Sequence, residues 1–342
     1  MPELRDVAQH YPEAAHCDAL YEVRDEAVGL HAFIALHDLS RGPGYGGIRR
    51  RHYPSVRAAV REVVGLAEQM TLKTAFAGLP AGGAKAVILD RRQTRLEAVY
   101  ESLGRAIETL GGTYFAGPDV GTSELELAAV RNTSRFVSHL TANPAQRTAD
   151  GVLAACREAL AFVGASPRPR ALKAIVAGVG QVGSIVARGL ASLGLDLVVS
   201  DLDASRAGMV ADELAAGTVL AAEALAADAY LLAPCALGPI ITAETLARFK
   251  VKVICGAANH QLGDEALAHE LAERGILYVP DFTVNSGAVI EGVLRQVTPP
   301  GTNPEPLIDA AIASIGPRVR ELLRIAEAAQ VTPLEAAFMQ IQ

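Results

Sequence analysis

The chain has 342 residues, enough for two domains of ordinary size. Hydrophobic residues make up 50% of it, yet no uninterrupted apolar stretch approaches the roughly 20 residues of a membrane-spanning helix, so we expect no membrane partner. The net charge of −7 comes with scattered basic residues, which argues against binding to nucleic acid.

The N-terminus and the cysteines indicate a cytoplasmic protein without a metal. The opening Met-Pro-Glu-Leu-Arg-Asp-Val carries both charge signs and lacks the apolar core of a secretory signal. The four cysteines show neither C-x-x-C nor zinc-ligand spacing, and the eight histidines form no H-E-x-x-H pair. We therefore expect buried or unreactive thiols and no metal. The basic run Arg49-Arg50-Arg51 is predicted to be an ion-paired or solvated strand end.

The first part of the chain alternates predicted strands and helices, which is typical of an α/β domain. In chain order the elements are a strand pair over 21–38, a glycine-rich turn over 41–47, a helix over 55–74, a short buried strand over 86–89 and a helix over 96–110. Ser55 is the expected N-cap of the first helix, because its hydroxyl can accept a free backbone N–H. Lys73 then falls near the C-terminal end of that helix, and Lys85 directly before the short strand.

The second part predicts a doubly wound parallel sheet. Turn-forming residues over 141–148 mark the boundary, and the tail from Glu305 is mostly helical with a fresh start at Thr332. After a helix over 151–163, the apolar strand candidates cover 172–177, 195–199, 229–233, 251–255 and 277–279. Helix-length, alanine-rich segments separate these strands, as crossovers between parallel strands require.

Lys73 and Lys85, twelve residues apart, combine with Gly117-Pro-Asp119 to suggest a catalytic centre. A cationic lysine is a suitable point-charge partner for a carboxylate. A second lysine held close to the first should have a lowered pKa, which suits general acid/base catalysis. The pattern therefore joins a possible carboxylate anchor to a possible proton-transfer pair.

A dinucleotide-binding motif follows in Val176-Ala-Gly178-Val-Gly180-Gln-Val-Gly183, which leaves a predicted strand and opens a helix. Its first glycine allows the tight turn, its second admits the pyrophosphate, and its third lets helix and strand pack closely. Gln181 and Val182, between the second and third glycines, are also expected to contact the dinucleotide. Asp201, about 20 residues on, would bind the adenosine ribose and repel a 2′-phosphate, which favours NAD over NADP. Arg206 leaves NADP open, because it could pair with that phosphate.

Together these motifs suggest oxidation of a small amino acid by a nicotinamide cofactor. We predict an α/β catalytic, substrate-binding and oligomerisation domain over 1–147 and a doubly wound Rossmann NAD-binding domain over 148–317, with the active site in the cleft between them. The C-terminal helices over 318–342 are expected to pack back on the first domain.

Seven segments of the chain resemble, in the same order, motifs of the glutamate/leucine/phenylalanine/valine dehydrogenase family. They are Gly42-Pro-Gly-Tyr-Gly-Gly-Ile-Arg49, Met70-Thr-Leu-Lys73, Gly78-Leu-Pro-Ala-Gly-Gly-Ala-Lys85, Gly117-Pro-Asp119-Val-Gly-Thr, Ala233-Pro-Cys-Ala-Leu-Gly238, Gly256-Ala-Ala-Asn259 and Asn285-Ser-Gly287. The resemblance covers about residues 20 to 340. Segments 275–282 and 331–337 are most similar to the phenylalanine dehydrogenase branch.

The resemblance implies that a homo-oligomer converts an L-amino acid reversibly to a 2-oxo acid and ammonia, with NAD. It assigns Lys73 to the substrate α-carboxylate, Lys85 to acid/base work on the attacking water, and Asp119 to the amino group and proton transfer. The other substrate-binding positions that it implies are Tyr45, Gly46, Gly47, Gly117, Ser138, Val289 and Gly292. The positions that it implies near the nicotinamide or cofactor are Thr148, Asn259 and Asn285.

Two residues depart from the family pattern. Ala84 stands where a third glycine is frequent before the catalytic lysine, and we expect its Cβ to lie beside the substrate. Asp150 stands where an apolar or aromatic residue is common. Neither departure removes a chemical group, so they bear on rate and fit and leave the reaction class unchanged.

The side-chain pocket positions favour an aromatic substrate, phenylalanine or tryptophan. Glutamate-specific relatives carry a lysine at the position of Tyr45 and a serine at that of Gly292, so glutamate is disfavoured here. Leucine-type relatives tend to have alanine and valine where this chain has Gly117 and Gly292, so its glycines open volume. Tyr45 could instead fill that volume, or its hydroxyl, Ser138 or Glu291 could recognise a polar group. Gly292 could also serve helix packing alone.

Two alternatives remain. One is a branched-chain amino-acid dehydrogenase. The other is an inactive NAD-binding homologue, against which the presence of Lys73, Lys85 and Asp119 argues.

Overall fold

The computed structural model of the chain describes residues 1–91, 93, 95–138, 143–165, 172–236 and 238–341. Thr141 and Ala142 of the expected domain boundary lie outside these residues, as does Leu237. No helix in the described part is long and apolar enough to cross a membrane. The chain forms two compact units, which we call the first unit (Met1–Leu140 with Val289–Pro304) and the second unit (Thr141–Ala288 with Glu305–Gln342).

A six-stranded mixed sheet forms the centre of the first unit. Its strands are β1 (Glu3–Asp6), β2 (Ala19–Asp25), β3 (Leu30–Asp38), β4 (Gly44–Arg51), β5 (Gly82–Leu89) and β6 (Tyr114–Gly117), in the spatial order β1-β2-β3-β5-β4-β6. The pairs β1–β2, β2–β3 and β3–β5 are antiparallel, whereas β4 runs parallel to both β5 and β6. The expected strand pair over 21–38 is confirmed as β2 and β3.

Helices cover both faces of this sheet. They are α1 (Val56–Phe76), α2 (Leu96–Thr109) and α3 (Glu124–Arg131). Phe33 of β3 joins a cluster with Val63 of α1, and its neighbour Ile34 joins a second cluster with Leu103 of α2. Successive side chains of a strand point to opposite faces, so one strand supplies both clusters. All eight residues of the central β5 are buried for the same reason.

The long helix α1 begins where the sequence predicts. The Ser55 hydroxyl accepts a hydrogen bond from the Ala58 N–H at 3.1 Å, which satisfies one of the free donors of the first turn. From there the helix lays Val60, Val63 and Ala67 on the sheet at helical spacing. The helix continues to Phe76, so Lys73 lies in its last turn.

The glycine-rich segment 41–47 is the main difference from the prediction, because from Gly44 onward it is a strand. A Cβ at Gly46 would lie 1.6 Å from the Ala84 carbonyl oxygen, and a Cβ at Gly47 would lie 2.4 Å from the Pro118 carbonyl oxygen. The two glycines therefore serve close approach of neighbouring backbones. Strand β5 is also longer than predicted and contains Lys85.

The second unit is built on a parallel six-stranded sheet. Its strands are β7 (Lys173–Ala177), β8 (Asp196–Ser200), β9 (Gly217–Thr218), β10 (Leu231–Pro234), β11 (Val253–Ile254) and β12 (Leu277–Tyr278). The spatial order is β12-β11-β10-β7-β8-β9, and the chain therefore starts in the middle of the sheet. This is the strand order of a dinucleotide-binding fold, which confirms the predicted doubly wound sheet.

The helices of the remaining chain complete this unit. They are α4 (Pro144–Phe162), α5 (Gln181–Ser192), α6 (Ala204–Leu214), α7 (Ala221–Ala224), α8 (Ala243–Leu246), α9 (Leu267–Glu273), α10 (Asp281–Val284), α11 (Gly287–Val297), α12 (Glu305–Ala313), α13 (Ile315–Ala329) and α14 (Pro333–Ile341). Helix α4 begins before the predicted 151. The Asn143 side chain accepts the Gln146 N–H at 3.1 Å, and Pro144 occupies the first turn.

The C-terminal helices belong to the second unit, and their predicted packing back on the first domain stays a prediction. Helix α13 packs on α4 and α14 packs on α13, all within the second unit. Arg320 pairs with Glu158 of α4 at 2.6 Å, and Phe338 stacks on Phe282 with ring centroids 6.1 Å apart. Helix α13 buries an apolar stripe against α4. The segment Val289–Pro304 groups with the first unit.

Candidate active site

Lys85 and Asp119, the two predicted catalytic residues, form a buried ion pair in the first unit. Lys85 lies in the middle of β5 and Asp119 follows β6, and the Lys85 Nζ to Asp119 Oδ2 distance is 2.5 Å. Their side chains are 8% and 12% exposed. The other oxygen, Oδ1, accepts the Val120 N–H at 2.6 Å, which fixes the carboxylate against its own backbone. The fold thus brings together two groups that are 34 positions apart in the sequence.

Two further charged residues, Arg49 and Glu62, complete this cluster and were not among the predicted site residues. Arg49 Nε donates to Asp119 Oδ2 at 3.2 Å and Nη2 donates to Oδ1 at 3.1 Å. Its remaining Nη1 donates to Glu62 Oε1 of α1 at 2.7 Å. The ion-paired interpretation of the basic run is confirmed for Arg49 and for Arg50, which binds Asp90 at 2.7 Å.

The charges of this cluster set the proton affinities of its members. Burial of the ammonium lowers the pKa of Lys85, and Arg49 lowers it further, although Asp119 acts in the opposite direction. Burial alone would raise the pKa of Asp119, but the positive charges of Lys85 and Arg49 outweigh it and bring that pKa to about 2. At neutral pH Asp119 is therefore ionised, and Lys85 loses its proton more readily than a lysine in water.

Lys73, the predicted carboxylate anchor, lies on the helix that packs directly on β5. Its side chain belongs to the last turn of α1 and is buried, with 8% of the residue exposed. Helix α1 also carries Glu62, so one helix supplies a lysine and a carboxylate to the face of the sheet that holds Lys85. A buried lysine is rare without a negatively charged partner or ligand.

Three of the predicted pocket positions are close together around β6. The Ser138 N–H donates to the Ala116 carbonyl at 2.7 Å, which places Ser138 beside Gly117. A Cβ at Gly117 would meet nothing within 4 Å. Tyr45 is 3% exposed and stacks on Phe115, with ring centroids 4.9 Å apart and an angle of 11° between the planes. The other two positions, half-buried Val289 and buried Gly292, lie on α11.

The structure corrects the expected position of Ala84. Its side chain belongs to the hydrophobic cluster of the α2 face, with Ala86 and Ile88. Strand alternation points Lys85 to the opposite face, so the Ala84 Cβ does not lie on the side of the Lys85 ammonium. The second departure, Asp150, is half-buried on α4 and accepts a hydrogen bond from Gln146 Nε2 at 2.8 Å.

The glycine motif of the second unit forms a turn that fits a dinucleotide. Gly178 follows β7, Gly180 is the N-cap of α5, and Gln181, Val182 and Gly183 form its first turn. A Cβ at Gly183 would lie 1.9 Å from the Gly178 carbonyl oxygen, whereas a Cβ at Gly180 would meet nothing within 4 Å. The turn is therefore tight where helix and strand meet and open where a pyrophosphate would approach the free helix N–H groups.

Asp201 lies at the end of β8 and is fixed by backbone donors. The Val179 N–H donates to Oδ2 at 2.9 Å and the Asp203 N–H donates to Oδ1 at 3.0 Å. Burial opposes ionisation, but these donors and Arg206, 3.3 Å away, outweigh it and lower the pKa of Asp201. A cavity of about 620 Å³ adjoins this position, lined by residues that include Val179, Gly180, Gln181 and Arg206.

The predicted nicotinamide-side residues lie in the second unit, on α4 (Thr148), in the loop after β11 (Asn259) and at the end of α10 (Asn285). Asn285 Nδ2 donates to Asn259 Oδ1 at 3.0 Å and to the Ala257 carbonyl at 3.1 Å. Gly287 lies against the backbone of Thr148, whose hydroxyl donates to the Pro144 carbonyl at 3.1 Å. The unit therefore brings Thr148 and the Asn285–Gly287 motif together, as a cofactor site at the carboxyl ends of parallel strands requires.

Comparisons with known proteins show which family the chain resembles. Residues 17–136 match the family described as Glu/Leu/Phe/Val dehydrogenase, dimerisation domain, and residues 206–297 match Glutamate/Leucine/Phenylalanine/Valine dehydrogenase. Leucine dehydrogenase of Bacillus cereus is 35% identical over 274 residues, which cover 78% of this chain and 75% of that protein. Phenylalanine dehydrogenase of Lysinibacillus sphaericus is 31% identical, covering 82% and 77%.

A solved structure has the same architecture. The crystal structure of L-tryptophan dehydrogenase from Nostoc punctiforme superposes with a TM-score of 0.81 at 30% sequence identity, and the match covers 95% of each chain. The three relatives differ little in identity and act, by their names, on different amino acids. The similarity therefore gives the reaction class and leaves the amino acid open.

Proposed function

Because the chain belongs to the glutamate/leucine/phenylalanine/valine dehydrogenase family and is an oxidoreductase acting on CH–NH2 groups, we propose that it deaminates an aromatic L-amino acid, phenylalanine or tryptophan, with NAD. The reaction converts the amino acid, NAD⁺ and water to a 2-oxo acid, NH4⁺, NADH and H⁺, and it is reversible. The observation that carries the proposal is the buried Lys85–Asp119 pair at 2.5 Å. A charged lysine or aspartate is rarely buried to this extent without a partner of opposite charge.

The residues of the first unit divide the chemistry among them. Lys73 binds the substrate α-carboxylate as a point charge. Lys85, in its neutral form, takes a proton from the water that attacks the imine carbon. Asp119, ionised at the start, takes a proton from the substrate nitrogen and returns it to that nitrogen as ammonia leaves. A bound nicotinamide would supply the acceptor for the hydride of the substrate Cα. The turn at Gly180 would hold the cofactor phosphates, and Thr148, Asn259 and Asn285 are proposed to line its nicotinamide end.

We expect NAD to be preferred over NADP by at least about tenfold in kcat/KM, because a 2′-phosphate would meet the fixed carboxylate of Asp201. Asp201→Ser should narrow this gap, since it removes the charge and keeps a hydrogen-bonding hydroxyl. Steady-state kinetics with both cofactors measure the ratio. Asp212→Ser, which removes an exposed carboxylate of α6, is the control and should keep the wild-type ratio. Equal use of both cofactors by the wild type would show that Arg206 controls the site.

Two features support a large apolar substrate. Open space adjoins Gly117, and no lysine stands at position 45 to bind a distal carboxylate. The names of the relatives span leucine, phenylalanine and tryptophan, which share an apolar side chain. An NADH absorbance assay over the twenty amino acids at alkaline pH tests the proposal. Turnover of phenylalanine or tryptophan above leucine and valine is the expected result.

A branched-chain substrate is the second candidate. The buried, stacked position of Tyr45 favours it, because a ring held at that place reduces the volume next to Gly117. The same assay separates the two candidates. No turnover of any amino acid would instead indicate the inactive NAD-binding homologue.

Gly292→Val should shift the preference from phenylalanine or tryptophan towards leucine or valine, because added methyl groups reduce the space for a ring. The expected change in discrimination is about 1–3 kcal/mol. The ratio of kcat/KM for phenylalanine to that for leucine, measured in both proteins, serves as its own control for folding and cofactor binding. An unchanged ratio would mean that Gly292 serves helix packing alone.

We also propose that the enzyme is a cytoplasmic homo-oligomer. The match of residues 17–136 to a dimerisation domain supports oligomerisation. Light scattering coupled to size-exclusion chromatography tests it, and a monomeric mass at micromolar concentration would contradict it.

A further inference from the structure

Asp119 is held by two cations, of which one can lose its charge at a working pH. Lys85 Nζ contacts Oδ2, while the Arg49 guanidinium donates to both carboxylate oxygens. An arginine does not deprotonate in proteins. Its planar fork also fits a carboxylate in one orientation, whereas an ammonium binds as a point. The two cations are therefore unequal partners of the same group.

This inequality matters when Lys85 acts as a base. In that step Lys85 is neutral, and a carboxylate that is 12% exposed would lose its nearest cation. An unpaired buried charge is strongly unfavourable, and the pair would respond by moving the proton back or by turning the carboxylate towards water. Arg49 prevents both responses, because its charge and its two hydrogen bonds do not depend on the state of Lys85.

Glu62 holds Arg49 in this position from the helix side. Its Oε1 accepts Arg49 Nη1 at 2.7 Å, and its side chain is 23% exposed. The guanidinium is thus fixed at both ends, between α1 and the loop after β6. Arg51 reaches the same Oε1 at 3.6 Å from a half-exposed side chain.

Resting on the proposed function, we propose that Arg49 is a positioning residue of the deamination, which keeps Asp119 ionised and oriented while Lys85 is neutral, and that Glu62 fixes Arg49 for this role. The charged groups that face Lys85 are Asp119 after β6, Arg49 of β4, and Glu62 of α1. Lys73 lies on the same helix, and Tyr53 lies close to this cluster.

The two charges next to Lys85 predict opposite pH effects. Loss of the Arg49 charge removes a cation that favours the neutral lysine, so the pKa of Lys85 should rise. Loss of the Glu62 charge removes an anion that favours the ammonium, so that pKa should fall. The fraction of neutral base grows as pH rises through the pKa. The rising limb of the deamination rate should therefore move to higher pH without Arg49 and to lower pH without Glu62.

The experiment measures kcat/KM for deamination against pH in the full-length enzyme and in three variants. For Arg49→Met we expect the limb to move up by about one pH unit, with a fall of at least about tenfold at the plateau. For Glu62→Gln we expect a smaller downward shift. Arg49→Lys keeps the positive charge and loses the planar pair of hydrogen bonds to Asp119. The rising limb of its pH profile should therefore stay near that of the wild type, while its plateau value of kcat/KM remains low.

The control is Glu68→Gln, the same change at an exposed position of α1, which should leave the profile unchanged. Limbs that move in the same direction in Arg49→Met and Glu62→Gln, or that do not move, would overturn the proposal. If Arg49→Met does not fold, the direction of the Glu62→Gln shift still decides it. Failure of the proposed function is distinct, because the wild type itself would then turn over no amino acid.

Discussion

Lys85→Met is expected to lose at least about 100-fold in kcat, the size of effect that general acid/base help provides, while NADH binding stays nearly intact. The substitution keeps the length of the side chain in β5 and removes the group that we propose accepts the proton of the attacking water. The dinucleotide turn belongs to the second unit, whereas Lys85 belongs to the first. Steady-state kinetics with a fluorescence titration of NADH measure the two quantities separately.

Lys250→Met provides the matched control, because Lys250 is an exposed lysine of the second unit. It should retain wild-type kcat. If Lys85→Met kept more than about a tenth of the wild-type kcat, the role assigned to Lys85 would be incorrect. Asp119 keeps Arg49 as its partner in this variant, so the buried carboxylate is not left alone and the fold should persist.

Gly46→Ala is expected to reduce the free energy of unfolding by at least the roughly 1–3 kcal/mol of an overpacked core, and to reduce activity with it. The new Cβ would lie 1.6 Å from the Ala84 carbonyl oxygen, so β4 or β5 must shift. That shift occurs next to Lys85 on one strand and three residues before Arg49 on the other. Chemical denaturation and kcat/KM report the two effects.

Gly65→Ala is the control for this change. Gly65 lies inside α1, where an added Cβ meets nothing within 4 Å. There the substitution should stabilise the protein by about 0.5–1 kcal/mol, because alanine loses less entropy in a helix. Equal unfolding midpoints for both variants would show that the β4–β5 contact is not close in solution.

The features predicted correctly from the sequence are those with local signals. Ser55 caps its helix because a hydroxyl and three backbone N–H groups are neighbours in the chain. The turn around Gly180 and the acidic residue after β8 follow from one βαβ unit. Lys85 and Asp119 were found from their motifs, although their 2.5 Å contact depends on β5 and β6 lying in one sheet.

The features that were missed depend on contacts between distant segments. Glycines are rare inside strands, so the sequence predicts a turn over 41–47. Only the structure shows that β4 and β5 approach so closely that glycines are needed in β4. Without β4, strand alternation could not be used to direct Arg49 towards Asp119. Without the first half of β5, it could not be used to place Ala84 and Lys85 on opposite faces. The position of α13 on α4 likewise depends on packing that the periodicity of α13 alone does not specify.

The route of the chain through the second unit has a consequence for how the enzyme is made. The unit is interrupted by Val289–Pro304 and completed only by the segment that ends the chain. During synthesis on the ribosome, α4 therefore emerges well before α13, the helix that covers its apolar side. Until then that side is exposed to chaperones and to other nascent chains. A premature stop codon just before α13 would remove a structural part of the cofactor-binding unit, although every dinucleotide motif had already been translated.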